Sequence, residues 1–285
     1  MDQKITNLYQ EYAQGQLERR EFLKRLSVLM GSLISAMALL PHLENSQVKG
    51  QIVPKDDPRL QTEYMNYSGA TGNIRSYFAM PKGVEKLPGV IVISEIFGLV
   101  PHIEDITRRI ALEGFLAMAP DPLTPLGGTP EDPNKARSLT QSLDNQSTIE
   151  NYAAAVRFLK THPQSTGKVG VVGFCWGGRM ANLLAVNSPD VLAAVPYYGS
   201  QPPVEDVPKI KASLLLHYAE IDERINKGIP EFEDALKRAK INYRIYMYPG
   251  TQHAFNNDTS PARYNKEAAQ LAWSRTIAFL KEKLK

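Results

Sequence analysis

The residues of this chain that could carry covalent chemistry are one cysteine, five histidines and a few carboxylates near strand ends. The cysteine sits in VGVVGFCWGGRM, Val169 to Met180, with Gly173 and Gly177 two residues to either side. A valine run leads in, and the helix-compatible run MANLLAV leads out. The segment Gly173-Phe174-Cys175-Trp176-Gly177 therefore falls where a strand gives way to a helix, the place of a nucleophile elbow. Such a turn strains the backbone of its central residue and needs small neighbours so that strand and helix can pass closely. It presents the thiol at a helix N-terminus, where the dipole favours a thiolate. It also aims the amide of Trp176 at a developing oxyanion. A free cysteine is otherwise most often a small buried hydrophobe. The elbow context is what sets Cys175 apart.

A nucleophilic thiol needs a base, and the base needs a group to orient it. YMYPGTQHAF places His253 in a loop just past the last strand. His42 lies in the N-terminal segment, His102 and His162 fall at helix ends, and His217 sits inside a strand. LLLHYAEIDERI offers Glu220, Asp222 and Glu223 just past a strand; Asp222 is the better acid by position, with Glu220 as the alternative. Cys175, then Asp222, then His253 is the chain order an α/β-hydrolase requires.

The elements that would position these residues follow from short apolar runs. YMNYSGATGNIRSYFAMP predicts two antiparallel strands around a Thr-Gly-Asn turn. Buried strands are predicted at GVIVIS, FLAMAPD, KVGVVGF, LAAVPYYG, ASLLLHYAE and YRIYMYPG. Helices are predicted at IEDITRRIALEG, IENYAAAVRFLKTH, GRMANLLAV, IPEFEDALKRAK and from about Ala262 to Leu284. A Pro/Gly-rich loop spans Pro120 to Pro133. Strands alternating with helices imply an α/β fold: a mostly parallel sheet with helices on both faces and short antiparallel strands at its N-terminal edge. Ligands bind such sheets at the carboxyl ends of the strands, where Cys175, Asp222 and His253 all fall. There is no internal repeat and no low-complexity tract.

Composition narrows the class. The chain has 285 residues, 43% hydrophobic and 22% charged, with a net charge of +3. That balance suits a globular domain and is too weak to suggest nucleic-acid binding, since no basic stripe is interleaved with aromatics. One cysteine excludes an intrachain disulfide and any multi-cysteine zinc site.

Residues 1–50 read as a leader and residues 58–285 as the catalytic domain. Arg19-Arg20 precedes Phe22-Leu23-Lys24 and an apolar run from about Leu26 to Leu43, the plan of an export signal that resembles the twin-arginine address. The run is short for a membrane span. Ala36 to Ala38, the one A-x-A pattern, lies inside it rather than after it. The leader reading places the protein in the periplasm or on the inner membrane, in contact with export machinery or lipid. An amphipathic helix packed on a cytoplasmic domain is the alternative.

Over roughly Glu63 to Leu284 the chain resembles the dienelactone hydrolase (carboxymethylenebutenolidase) family of α/β-hydrolases. The resemblance is carried by IVISEIFGL, IEDITRRIALEGF, APD, GKVGVVGFCWGG, VPYYG and PGTQHAF. It implies hydrolysis of a small-molecule ester or lactone through a Cys–His–Asp triad, with no metal or organic cofactor. It implies that Glu95 is the partner of the resting thiol, released when substrate binds, and that the amides of Ile96 and Trp176 form the oxyanion hole. Phe97, Trp176, Tyr198 and Phe255 are then pocket walls.

One position departs from the family. Its dienelactone enzymes bind the substrate carboxylate with arginines, one of them in a His-x-Phe-x-Arg pattern, and here Asn257 stands at that place. An amide cannot replace a guanidinium in bidentate, charge-assisted pairing. Arg137 and Arg263 are the candidates to compensate. AEIDERIN and TSPARYNKEAAQLAWSRT match family members that carry a twin-arginine-like leader. Two other readings stay open at this stage: a thioesterase or peptidase on the same triad, and a non-catalytic binding protein on the hydrolase scaffold.

Overall fold

The structure, a computed structural model, describes residues 3–13, 17–32, 35–37 and 52–285. Two helices come first, α1 (Gln3–Ala13) and α2 (Arg19–Met30), then a hairpin of β1 (Leu60–Gly69) and β2 (Gly72–Pro81). Alternation follows: β3 (Leu87–Ile93), α3 (Pro101–Leu112), β4 (Leu116–Pro120), α4 (Pro133–Ser142), α5 (Asn145–Thr161) and β5 (Ser165–Phe174). Next come α6 (Trp176–Asn187), β6 (Val191–Tyr197), β7 (Ser213–Ile221), the single turn α7 (Glu223–Asn226) and α8 (Ile229–Arg238). The chain closes with β8 (Tyr243–Gln252) and α9 (Lys266–Lys283).

Eight strands form one sheet in the order β1-β2-β4-β3-β5-β6-β7-β8. β3 to β8 run parallel, while β2 is antiparallel to both β1 and β4. The continuous apolar run of β3 reflects cover on both faces. Val90 and Val92 join the layer under α3 and α9, and Ile91 and Ile93 join the layer under α5, α6 and α8. Because β3 connects onward to β4 on one side and β5 lies on the other, the strand order switches direction between β3 and β5. A crevice opens at the carboxyl ends of strands flanking such a point.

Local differences from the sequence reading have local causes. Gly69 pairs with Gly72, so the hairpin turns at Ala70-Thr71 rather than around Thr71-Gly72-Asn73, and the positive φ of 109° falls on Gly72. The closing helix starts at Lys266 rather than Ala262, because the Asn265 side chain caps it by accepting from the amide of Ala268. At the last residue of the predicted loop, α4 begins at Pro133 behind an Asp132 cap and runs through a stretch for which no element is predicted.

The first two helices pack on each other through Ile5, Leu8, Tyr9, Phe22 and Leu26, and Phe22 stacks on Tyr12 with ring centroids 4.4 Å apart. Asn134 at the start of α4 donates from Nδ2 to the Leu17 carbonyl at 3.4 Å. The apolar run beyond Met37, including Ala38, His42 and Leu43, lies outside the described residues. Among the described residues no helix is long and apolar enough to cross a membrane.

Candidate active site

β5 ends at Phe174, α6 begins at Trp176, and Cys175 between them has φ 56° and ψ −114°. A non-glycine residue holds such a conformation only where its surroundings over-determine it. The backbone packing supplies that. A Cβ on Gly173 would lie 2.0 Å from the Gly177 carbonyl oxygen, and one on Gly177 would lie 2.3 Å from that of Ser94. The amide of Cys175 donates to the Tyr197 carbonyl at 3.0 Å, which fixes the elbow to β6. The thiol is left partly exposed. Tyr198 and Ala254 also have positive φ, 38° and 70°, so three of the four such non-glycine residues among those described surround this site.

β7 and β8 bring the acid to the base. Their register slips between Ala219 and Ile221, with Ala219 opposite Tyr248 but Ile221 opposite Gln252, so β8 carries two extra residues. A bulge of this kind re-aims the side chains beyond it. His253 Nδ1 meets Asp222 Oδ2 at 2.5 Å. Glu220, the alternative acid, instead accepts from the Gly250 amide at 2.7 Å and staples the bulge. Burial acts to lower the pKa of His253, but hydrogen bonds with Asp222 and Cys175 and their negative charge outweigh it, raising it to about 9. The imidazole is thus bonded to the Asp222 carboxylate, with the thiol among its electrostatic neighbours.

The loop after β3 supplies Glu95, Ile96 and Phe97. Asp121 and Thr129 hold it in place: Asp121 Oδ1 accepts from Thr129 Oγ1 at 2.7 Å, and Thr129 Oγ1 accepts from the Leu99 amide at 2.9 Å. Among the described residues, the amides of Ile96 and Trp176 have no backbone acceptor outside regular elements. An amide without another acceptor can receive an oxyanion.

Glu95 is not bonded to the thiol. Its Oε2 accepts from Asn257 Nδ2 at 2.7 Å, while Cys175 is among the groups that raise the pKa of His253. Asn257 therefore occupies the carboxylate expected to hold the thiol. Phe97 and Trp176 are partly exposed at the crevice, whereas Phe255 is fully buried against Tyr198 and Tyr248, with ring centroids 5.6 and 4.8 Å away. Phe255 supports the His253 loop from beneath and is not a wall. Tyr198 is likewise buried, its ring 4.9 Å from that of His253. Its phenol titrates well above the usual range because of burial and the nearby negative charge of Glu95 and Cys175. Arg137 lies on α4 and Arg263 in the loop before α9, both half-buried, and neither forms an ion pair with Glu95.

Sequence reasoning missed the anchors of the His253 loop. Asp258 meets Arg109 at 2.7 Å and His102 at 3.2 Å, both on α3. Burial acts to raise the pKa of Asp258, but His102 and Arg109 outweigh it and hold it below the ordinary value. No motif marks these residues; only their charge pattern on an amphipathic helix does.

An elbow at the end of a central parallel strand, with an acid and a histidine following from later strands, defines the fold class as α/β-hydrolase. Family comparison narrows this further. The dienelactone hydrolase family model matches residues 74–284. A protein of Synechocystis sp. (strain ATCC 27184 / PCC 6803 / Kazusa) named for carboxymethylenebutenolidase is 34% identical over 230 residues, 74% of this chain and 93% of the relative. A protein of Escherichia coli (strain K12) named for the same activity is 30% identical over 253 residues, 83% of this chain and 93% of the relative. A Klebsiella pneumoniae structure titled as a dienelactone hydrolase superposes with a TM-score of 0.71 at 29% identity, covering 78% of this chain and 99% of that one. The chain belongs to the dienelactone hydrolase family, and it is a hydrolase of that type.

Proposed function

We propose that the protein cleaves a small-molecule ester or enol-lactone by acyl transfer to Cys175. The observation that carries this reading is the His253 imidazole, held by Asp222 on one side and paired on the other with a thiol at a strained strand-to-helix turn. With Nδ1 engaged by Asp222, Nε2 is the nitrogen left for the thiol and substrate.

In the first half-reaction the Cys175 thiol gives its proton to His253 Nε2, Sγ attacks the carbonyl carbon, and the oxyanion rests on the amides of Ile96 and Trp176. The tetrahedral intermediate collapses, the C–O bond breaks, and the leaving oxygen takes the proton from His253 Nε2. In the second, His253 removes a proton from water, the hydroxide attacks the thioester, and the thiolate departs. A thiolate is itself a good leaving group, so an intermediate formed from an amide would return to starting material. Esters and lactones therefore suit the site better than peptides.

The test is a p-nitrophenyl ester assay on wild type and Cys175→Ser, with iodoacetamide inactivation in parallel. Loss of turnover in the variant, and one-to-one inactivation of wild type, are the expected results. Equal rates in the two proteins reject thiolate attack and favour a non-catalytic role for Cys175.

We also propose that Arg19 to Lys24 address the chain for export to the periplasm or inner membrane. The Arg19-Arg20 pair opening α2, followed by Phe22-Leu23-Lys24, supports this reading. The seating of Phe22 between Tyr9 and Tyr12 supports the other, a retained helical hairpin. Fractionation of cells carrying wild type or Arg19→Lys/Arg20→Lys decides: export lost in the variant upholds the address, and cytoplasmic wild type removes it.

A further inference from the structure

The departure from the family pattern at Asn257 has a defined geometry. Asn257 Oδ1 accepts from the Thr259 amide at 2.9 Å and from Thr259 Oγ1 at 2.6 Å. With its carbonyl oxygen committed to two donors, the side-chain amide can turn only its NH2 group toward the site. That group donates to Glu95 Oε2 at 2.7 Å. Glu95 is 8% exposed and Asn257 9%, so the pair is held in the wall of the site.

A neutral amide satisfies a hydrogen bond but leaves the charge of a carboxylate in place. Nor does a neighbouring cation cancel it. Arg109 is engaged by Asp105 and Asp258, and Arg108 by Asp105, Tyr77 and the Val53 carbonyl. Among the described residues no lysine or arginine forms an ion pair with Glu95. The second Glu95 oxygen has no hydrogen-bond partner among them. A second group points the same way. The Tyr198 hydroxyl is buried without a partner, in a side chain 1% exposed whose electrostatic neighbours are Glu95 and Cys175. Apart from the His253 imidazole beside the thiol, the site thus offers a substrate uncharged donors and a carboxylate that no lysine or arginine among the described residues pairs with.

We propose that the Glu95–Asn257 pair makes this site select esters and lactones with an uncharged or cationic acyl group and turn away those bearing a carboxylate. The proposal rests on Cys175 being the nucleophile, since it concerns the space beside that atom. Two like charges about 5–6 Å apart in a medium of intermediate dielectric repel enough to change kcat/KM on the order of a hundredfold.

The test uses two p-nitrophenyl esters that differ only at the far end: the hydrogen adipate, which carries a carboxylate, and the 6-oxoheptanoate, its uncharged methyl-ketone counterpart. Wild type is expected to favour the ketone by about a hundredfold in kcat/KM, less at high salt. Glu95→Gln, and separately Asn257→Arg, are expected to cut that ratio at least about tenfold whatever each does to the absolute rate. A wild-type ratio near one, or a preference for the adipate, overturns the proposal, as does a large ratio unmoved in Glu95→Gln. If Cys175→Ser hydrolyses both esters at the wild-type rate, the nucleophile assignment fails instead, and the two failures are told apart.

Discussion

His217 and His253 sit at neighbouring strands of one sheet, the first fully buried and the second partly exposed, and their pKa values are pushed in opposite directions. His217 lies in the core between α9 and β8. Tyr248 Oη meets its Nδ1 at 2.8 Å, and Thr276 Oγ1 meets its Nε2 at 3.1 Å. Arg275 donates to Tyr248 Oη at 3.2 Å, so the phenol has its own hydrogen to give, and Nδ1 of His217 receives it. A second proton on the ring would find a donor where it needs an acceptor. Burial, with the Arg275 charge, lowers the pKa of His217 to about 3. Burial also acts against charge on His253, yet Asp222 and Cys175 reverse the outcome. Desolvation sets the cost of charging a ring, and the group waiting at each ring nitrogen decides whether that cost is met.

The strongest way to break this comparison is to exchange the consequences of losing each ring. His253→Gln is expected to lower ester turnover of the folded protein by about a thousandfold, the ordinary range for a general acid–base. His217→Gln is expected to do the reverse: it unsettles a buried network, costs about 1–3 kcal/mol of stability, and leaves kcat of the folded fraction near wild type. Thermal melts and steady-state kinetics on both variants check this. A turnover loss in His217→Gln equal to that in His253→Gln contradicts the separation.

The pH dependence of stability gives a sharper form. His217 has a folded pKa below its unfolded value, so its contribution is present above about 6.5 and is lost as pH falls toward about 3. His253 has a folded pKa above its unfolded value, so its contribution is present below about 6.5 and is lost as pH rises through about 9. Calorimetric melting temperatures of wild type should therefore fall on both sides of pH 6.5. His217→Gln should flatten the acid limb alone, and His253→Gln the alkaline limb alone.

The smallest expected effect refines the core side of the comparison. Tyr248→Phe removes the hydroxyl that Nδ1 of His217 meets and should cost about 1 kcal/mol in urea unfolding, with no change in turnover. A variant that instead loses esterase activity would mean that the ring network running from Tyr248 through Phe255 to Tyr198 positions His253.

Much of the fold could be read directly because central parallel strands must be apolar on both faces. GVIVIS, KVGVVGF and LAAVPYYG declare themselves in this way, and their alternation with helices dictates the sheet. The helix at Pro133–Ser142 was hidden by a Pro/Gly-rich neighbourhood, although Asp132 followed by proline is a helix-start signal. Cys175 was legible because a close crossing of strand and helix demands glycines at fixed spacing. The candidate base was legible because only His253 follows the last strand. The choice between Asp222 and Glu220 was open, since both end the same strand and a bulge in its neighbour decides which faces the imidazole.

By itself the sequence determined the order of elements, the elbow and the histidine past the last strand, because periodicity and glycine spacing are local properties of a chain. Tertiary structure alone decided that Glu95 is bonded to Asn257, 162 residues away, and that His253 meets Asp222. It alone joined α3 to the His253 loop through Asp258, and it alone pushed the pKa values of two histidines in opposite directions. The physical reason is the same in each case. A charge or hydrogen bond in a desolvated site depends on which groups lie within a few ångströms, and those groups come from distant parts of the chain.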